Sequence, residues 1–189
     1  MVSFRLPIRH GIERLMPPPR PAHLFPTPEH NHGACLVSAV GRAEQAFELS
    51  GLKLTALRRK VLQEIAGSHH AVGAYDILDS LARKGDRLAP ISIYRAIDAL
   101  LAAGVVHRLE SRNAFFACHA SHDGGGNQVI LACETCGLVA EVNGDAIFQA
   151  LAMAAEGAHF MPKRRVVELT GLCRHCRGDS LQNNVGATA

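Results

Sequence analysis

Two short cysteine pairs restrict this chain more than any other feature. They are Cys133-Glu-Thr-Cys136, followed by Gly137, and Cys173-Arg-His-Cys176. Thiols with two residues between them turn both sulfurs toward one point, and two such pairs make a closed tetrahedral four-thiolate site that suits Zn²⁺. Whatever lies between Cys136 and Cys173 must then fold so that the two knuckles meet. The alternatives are disulfides or a thioredoxin-like redox pair. A redox C-x-x-C occurs once, after a strand and opening a helix, and nothing in the 189 residues has the look of a small secreted disulfide scaffold. A structural zinc staple follows, and it says nothing yet about activity.

Other metal-capable residues stand close by in sequence: His107, Cys118 and Glu141, with His119 and His122 in range. Taken singly, each has a plainer role, as a structural histidine, a small buried hydrophobe and a surface charge. A hydrophobic content of 48% is enough to bury real cores. The first residues contain no apolar run of secretory length, and no stretch approaches a membrane span, so a cytoplasmic location with no membrane partner is expected. Charge is uneven. Residues 1–112 hold 15 Lys+Arg against 10 Asp+Glu, the remainder 5 against 7, so the first half is the better partner for a polyanion.

In chain order, seven of nine prolines fall in the first 28 residues. Such a segment cannot sustain regular hydrogen bonding, and residues 1–35 read as an extended arm. His30, His32 and Cys35 within it read as an incidental metal-capable group. A helical pattern begins near Leu36 and includes Ala43 to Leu49. Thr55 offers an N-cap to a helix carrying Leu57, Val61, Leu62 and Ile65 up to Gly67. Ala74 to Lys84 follows, and a further helix opens near Pro90, with Ile93, Ile97, Leu100 and Leu101 as its stripe. That stripe leaves Ser92, Tyr94, Arg95 and Asp98 pointing away from the core. After Gly104 the period becomes two, over Val105–Leu109 and Ala114–Cys118 across a polar turn, which predicts a hairpin. Helices closed by a hairpin make a winged helix-turn-helix, the competing reading being a small helical domain without a nucleic-acid role.

The second half predicts a strand at Gln128 to Ala132, the first knuckle, and a strand at Leu138 to Val142. A helix from Asp145 to Glu156 and a third strand, Arg165 to Thr170, lead into the second knuckle. An open edge on so small a sheet is most economically covered by a second copy. The fold class is therefore α+β. A winged helix-turn-helix DNA-binding domain (36–120) precedes a small α/β dimerisation and metal-binding domain (121–178), stapled by zinc, and a loose tail spans 179–189.

At this point the residues resemble the ferric uptake regulator family, and within it the zinc uptake regulator branch. The resemblance rests on Leu54-Thr55 with the basic run after it, Ala74-Tyr75-Asp-Ile-Leu, Ile93-Tyr94-Arg95-Ala-Ile, Val106-His107-Arg-Leu-Glu110-Ser111 with Asn113, and both C-x-x-C pairs. It implies a homodimer, a winged-helix domain on double-stranded operator DNA, a four-cysteine zinc and a regulatory metal between the domains, hence two Zn²⁺ per chain. It places the regulatory ligands on His107, Cys118 and Glu141, with a histidine expected shortly before Cys133. An ungapped match puts Gly126 there, and His122 takes the role in preference to His119, which adjoins Cys118 on a strand and should face the other way. Ala89-Pro-Ile-Ser-Ile stands where the family has Pro-Pro-Thr-Val. Near Arg164 and Arg165 the chain lacks the iron branch's histidine ligand. For DNA, the expectation is Arg95 on a base edge, with Tyr94, Tyr75 and Ser92 at contacting positions and Lys53, Arg58 and Arg59 on phosphate or in the minor groove.

The expected function is a zinc-responsive repressor and not an enzyme. Rivals within the class answer to iron, manganese or peroxide. Outside it stands a zinc-dependent hydrolase or deaminase, but deaminases place the catalytic Glu two residues after the ligand His, and here Arg108-Leu109 separate His107 from Glu110. A zinc-stapled architectural protein with no sensing is the third.

Overall fold

The structure, a computed structural model, describes residues 32–118 and 127–178 together with Phe25. The first unit runs α1 (His32–Leu49), α2 (Ala56–Ala66), β1 (Val72–Gly73), α3 (Ala74–Arg83), α4 (Pro90–Ala102), β2 (Val106–Leu109), a 3₁₀ turn (Glu110–Arg112) and β3 (Ala114–Ala117). The second runs β4 (Gln128–Cys133), β5 (Val139–Asn143), α5 (Asp145–Gly157) and β6 (Glu168–Gly171).

Local chemistry sets the helix boundaries. Thr55 caps α2, its extended backbone letting Oγ1 accept from the Arg58 N–H at 3.4 Å. The Asp76 carboxylate accepts from the Gly73 N–H at 3.2 Å and ties the start of α3. Pro90 occupies the first turn of α4, where its missing N–H costs nothing. Gly104, at φ +70, turns the chain from α4 into the wing, a conformation side chains resist. Helix α1 begins at His32, so the last residues assigned to the arm, Cys35 among them, are helical. The arm's earlier residues, apart from Phe25, and the tail from 179 lie outside the described residues.

Phe47 of α1, Val61, Leu62 and Ile65 of α2, Ile77 and Leu81 of α3, and Ile93, Ile97 and Leu100 of α4 close on one another as the first core. Each such side chain contributes roughly 1.5–3 kcal/mol on burial. Phe115 and Ala117 of β3 seal it from the wing. The wing sheet has the order β1-β3-β2, all antiparallel, with the two residues of β1 joining the expected hairpin at Val72↔Phe115 and Gly73↔Ala114. Asn113 takes the left-handed conformation, φ 49, at the wing's turn, where Asn is among the residues that tolerate it.

The second sheet has the order β5-β4-β6. β5 pairs antiparallel with β4, while β6 returns parallel to it after α5, as a parallel pair requires a crossover. β6 starts at Glu168, not Arg165, the ladder opening where Ile130 N–H donates to the Val167 carbonyl.

The two units share a second apolar cluster: Leu109 and Phe116 from the wing, Ile130, Ala132 and Val139 from the second sheet, and Ala71 at its edge. Period two explains it. In the hairpin, Val106, Phe115 and Ala117 face the helices, so His107, Leu109, Phe116 and Cys118 face the other way. On the second sheet Ile130, Ala132, Val139 and Glu141 share one face by the same rule, with Ile130 opposite Glu141 in the ladder. These two faces meet. A backbone link reinforces the joint, Val139 N–H donating to the His69 carbonyl at 3.0 Å beside an isolated His70↔Leu138 bridge.

Candidate functional site

Cys133 ends β4, and Cys136 follows on the turn closed by Gly137 at φ +74. Cys173 and Cys176 follow β6. Because β6 lies parallel to β4, with Cys133 opposite Gly171, both knuckles leave the sheet at the same end. All four sulfurs lie within 4.8 Å of one another, Cys136 and Cys173 at 3.6 Å. A tetrahedron with Zn–S bonds near 2.3 Å has edges of ~3.8 Å, so these sulfurs fit one ion. No disulfide joins any described cysteine.

Electrostatics favour a cation at this point. Burial alone would raise the Cys133 thiol, but hydrogen bonds from the amides of Cys136, Cys173 and Thr135 outweigh it and bring it down to about 6. Cys176 moves oppositely, pushed up to about 12 by lost solvation and then by the neighbouring sulfurs of Cys136, Cys133 and Cys173. Cys136 is raised too, burial leading. One thiolate in such a group suppresses the rest, and a divalent cation is what lets all four ionise together.

The second cluster lies where the two facing sheets meet. His107 on β2, Cys118 just past β3 and Glu141 on β5 place one nitrogen, one sulfur and one carboxylate oxygen within 4.8 Å of one another. His107 Nε2 is 3.2 Å from Glu141 Oε1, and the Glu141 side chain is only 4% exposed. A carboxyl group buried this fully is costly unless it is paired or holds a metal, and the arrangement places the His107 ring and a potential metal position against it. Phe116 lies beside the His107 ring, 5.7 Å between centroids. Cys118 is pinned through its backbone: its N–H donates to the Val105 carbonyl at 3.1 Å, and its carbonyl accepts from Arg42 of α1 at 2.7 Å. The His107–Glu141 side opens on a cleft of about 690 Å³ between the units, bordered also by Lys163, Arg164 and Arg165. His122 and His119, the two candidates for a fourth ligand, lie outside the described residues.

The residues expected to meet DNA surround α3 and α4. Tyr75 on α3 is 64% exposed, and Arg95 on α4 is exposed. Tyr94 corrects the expectation that it points away from the core, for it is half-buried and packs against the first apolar cluster, while Ser92 is half-buried. Tyr94 stands three residues before the buried Ile97, which brings its ring to the edge of the helix's inner face. Lys53 is exposed ahead of α2. Arg58 donates to the Lys53 carbonyl at 2.6 Å and lies over the Phe47 ring, while Arg59 pairs with Glu44 at 2.7 Å. Sequence patterns could not reveal Arg42, since its partner is 76 residues away in the chain.

A winged helix-turn-helix, joined to an α/β unit that carries four clustered cysteines, with side chains able to hold a metal at the joint, defines a metal-responsive transcription regulator. Residues 49–170 match the model of the ferric uptake regulator family. The chain belongs to that family, whose members regulate transcription and are not enzymes, which sets aside the hydrolase or deaminase alternative. Within it the resemblance is to zinc uptake regulators. The zinc uptake regulation protein of Escherichia coli (strain K12) is 31% identical over 137 residues, 72% of this chain and 80% of that protein. Among solved structures, a zinc uptake regulator complexed with zinc and DNA aligns with a TM-score of 0.70 at 28% identity, over 80% of this chain and 98% of that one. The holo form of XcZur aligns at 0.67 with 38% identity, over 75% and 98%. No helix among the described residues is long and apolar enough to cross a membrane.

Proposed function

We propose that the protein is a cytoplasmic, zinc-responsive repressor that binds operator DNA as a metal-loaded homodimer. The observation that carries this reading is the meeting of His107 and Cys118 from the wing with Glu141 from the second unit. A thiolate and an imidazole beside one carboxylate suit tetrahedral Zn²⁺, whereas iron or manganese sensing favours nitrogen and oxygen ligands alone. His107, Cys118 and Glu141 would hold the ion, which would supply coordinate bonds linking the wing to the second unit. His122 would complete the set. With the four-cysteine staple this makes two Zn²⁺ per chain, and the domain limits 36–120 and 121–178 place one unit on each side of the clamp.

What the chain contributes is the geometry of that clamp. His107 and Cys118 belong to the hairpin that follows α4, so fixing them relative to Glu141 fixes α4 relative to the second unit. If the clamped arrangement is the one that fits DNA, zinc and operator each tighten the other's binding by linkage. The apolar side chains exposed on β6 and α5, Leu169 at 55%, Leu151 at 44% and Met153 at 73%, are surface for a second copy to cover. A two-fold pair would then present two α4 helices to successive major grooves of a pseudo-palindrome.

Native mass spectrometry, before and after mild chelation, tests the reading. Two zincs per chain falling to one, with operator binding lost in step and restored by zinc but not by manganese or ferrous iron, is the expected result. One zinc throughout, or restoration by another metal, would overturn it. On the DNA side, Arg95→Ala should cost about 1–3 kcal/mol in operator affinity and narrow the gap between operator and scrambled DNA. An unchanged affinity ratio in a mobility-shift titration removes Arg95 from base reading.

A further inference from the structure

The 3₁₀ turn Glu110–Arg112 at the tip of the wing has Leu109 at its N-cap position, and leucine has no oxygen to offer the turn's first amides. The missing cap comes from the other unit. Glu168, the half-buried first residue of β6, accepts from the Glu110 N–H at 2.5 Å through one carboxylate oxygen and from the Ser111 N–H at 3.0 Å through the other. An anion at the amide end of a helical turn is the favourable arrangement, and charge-assisted bonds of this kind are about twice as strong as neutral ones. The turn's far end is tethered as well, Arg112 donating to the carbonyl of Cys133 in the first knuckle at 3.3 Å. Arg164, from the segment before β6, pairs with the Glu110 side chain.

We infer that Glu168 is a positioning residue: it caps the wing across the joint between the units, and thereby holds the DNA-reading unit in the arrangement that brings His107, Cys118 and Glu141 together. The inference rests on the regulatory-metal reading above for its consequence, though not for its geometry. Glu168 is not one of the side chains of the His107, Cys118 and Glu141 group, and its carboxylate is taken up by the two amides of the wing's turn. Its bonds exist only while the wing and the second sheet are in contact. It therefore acts on zinc and operator through one quantity, the fraction of molecules already closed, and weakening it lowers apparent zinc affinity by the factor that fraction falls.

The test uses the full chain with Glu168→Gln, which keeps the length and shape but turns an amide nitrogen toward one of the two donors, and with Glu168→Ala. Three quantities are read: zinc per chain, affinity of the labile zinc by competition with a chromophoric chelator, and hydrogen exchange at the 110 and 111 amides. Expected are retention of the four-cysteine zinc, exchange at 110 and 111 faster by about tenfold, and labile-zinc affinity about tenfold weaker, with alanine the more severe. Wild-type exchange and wild-type zinc affinity in both variants would overturn the inference. So would loss of the four-cysteine zinc, because Glu168 would then serve the second unit's own folding. Should the wild-type chain hold a single zinc, the regulatory reading fails, and exchange at 110 and 111 still decides whether Glu168 caps the wing.

Discussion

Replacing Cys173 with serine should unfold the second unit, not merely loosen it. Cys173 is 2% exposed, and its N–H donates to the Cys133 sulfur at 3.4 Å, so it serves both knuckles. Structural zinc supplies an apparent ~10–16 kcal/mol near neutral pH in small zinc-organised peptides, against roughly 5–15 kcal/mol for the whole stability of a typical domain. The apolar part of this unit is small: among its described residues only Val129, Ile130, Ala132, Val139, Ala140 and Phe148 are buried hydrophobes apart from the cysteines. Such a core cannot replace the ion. The variant should lose one zinc per chain, lose its dimer in light scattering, and melt in two steps, with the helical first unit surviving the earlier one. A strong chelator should do the same to the wild-type chain, while a thiol reductant alone should not, which separates a zinc staple from disulfides. A Cys173→Ser protein with wild-type zinc content and melting would show that the four cysteines do not staple the unit.

Cys118→Ser should leave folding intact and remove the response to metal. Serine nearly keeps the size and withdraws the one sulfur from the group of His107, Cys118 and Glu141. The backbone contacts of residue 118, to Val105 and Arg42, do not involve its side chain. Zinc content should fall from two to one per chain, and the zinc-dependent gain in operator affinity, on the order of 5–150-fold for a coupling of this type, should vanish. Calorimetric melting without labile zinc should match wild type within about 1 kcal/mol, a buried thiol-to-hydroxyl change in a site already polar. If the variant still gains operator affinity on adding zinc, Cys118 is not a regulatory ligand. If it fails to fold, its burial against the wing outweighs any metal role.

These two variants act on the parts most legible in the chain. Cys133, Cys136, Cys173 and Cys176 announce themselves, since the two-residue spacing is itself the local geometry of the knuckle. The helices were legible through Thr55, Gly67, Pro90 and Gly104, which act within a few residues of themselves. The hairpin that carries His107 and leads to Cys118 was likewise legible in its alternation, while the register that sets both on one face came from the ladder. β1 was not legible, because two residues carry no periodicity and Val72 becomes a strand only by meeting Phe115. Nor was the inward packing of Tyr94, decided by the neighbours of α4.

The sequence determined what is local or periodic: the knuckles, the helix ends, the faces of the strands and the family they resemble. Tertiary structure decided what those faces meet. That Glu141 arrives beside His107, that Arg42 steadies Cys118 from 76 residues away, and that a carboxylate on β6 caps the wing all depend on two sheets packing through Leu109, Phe116, Ile130 and Val139. Apolar burial is non-directional and records no partner in the chain, so the pairing appears only when the two surfaces close.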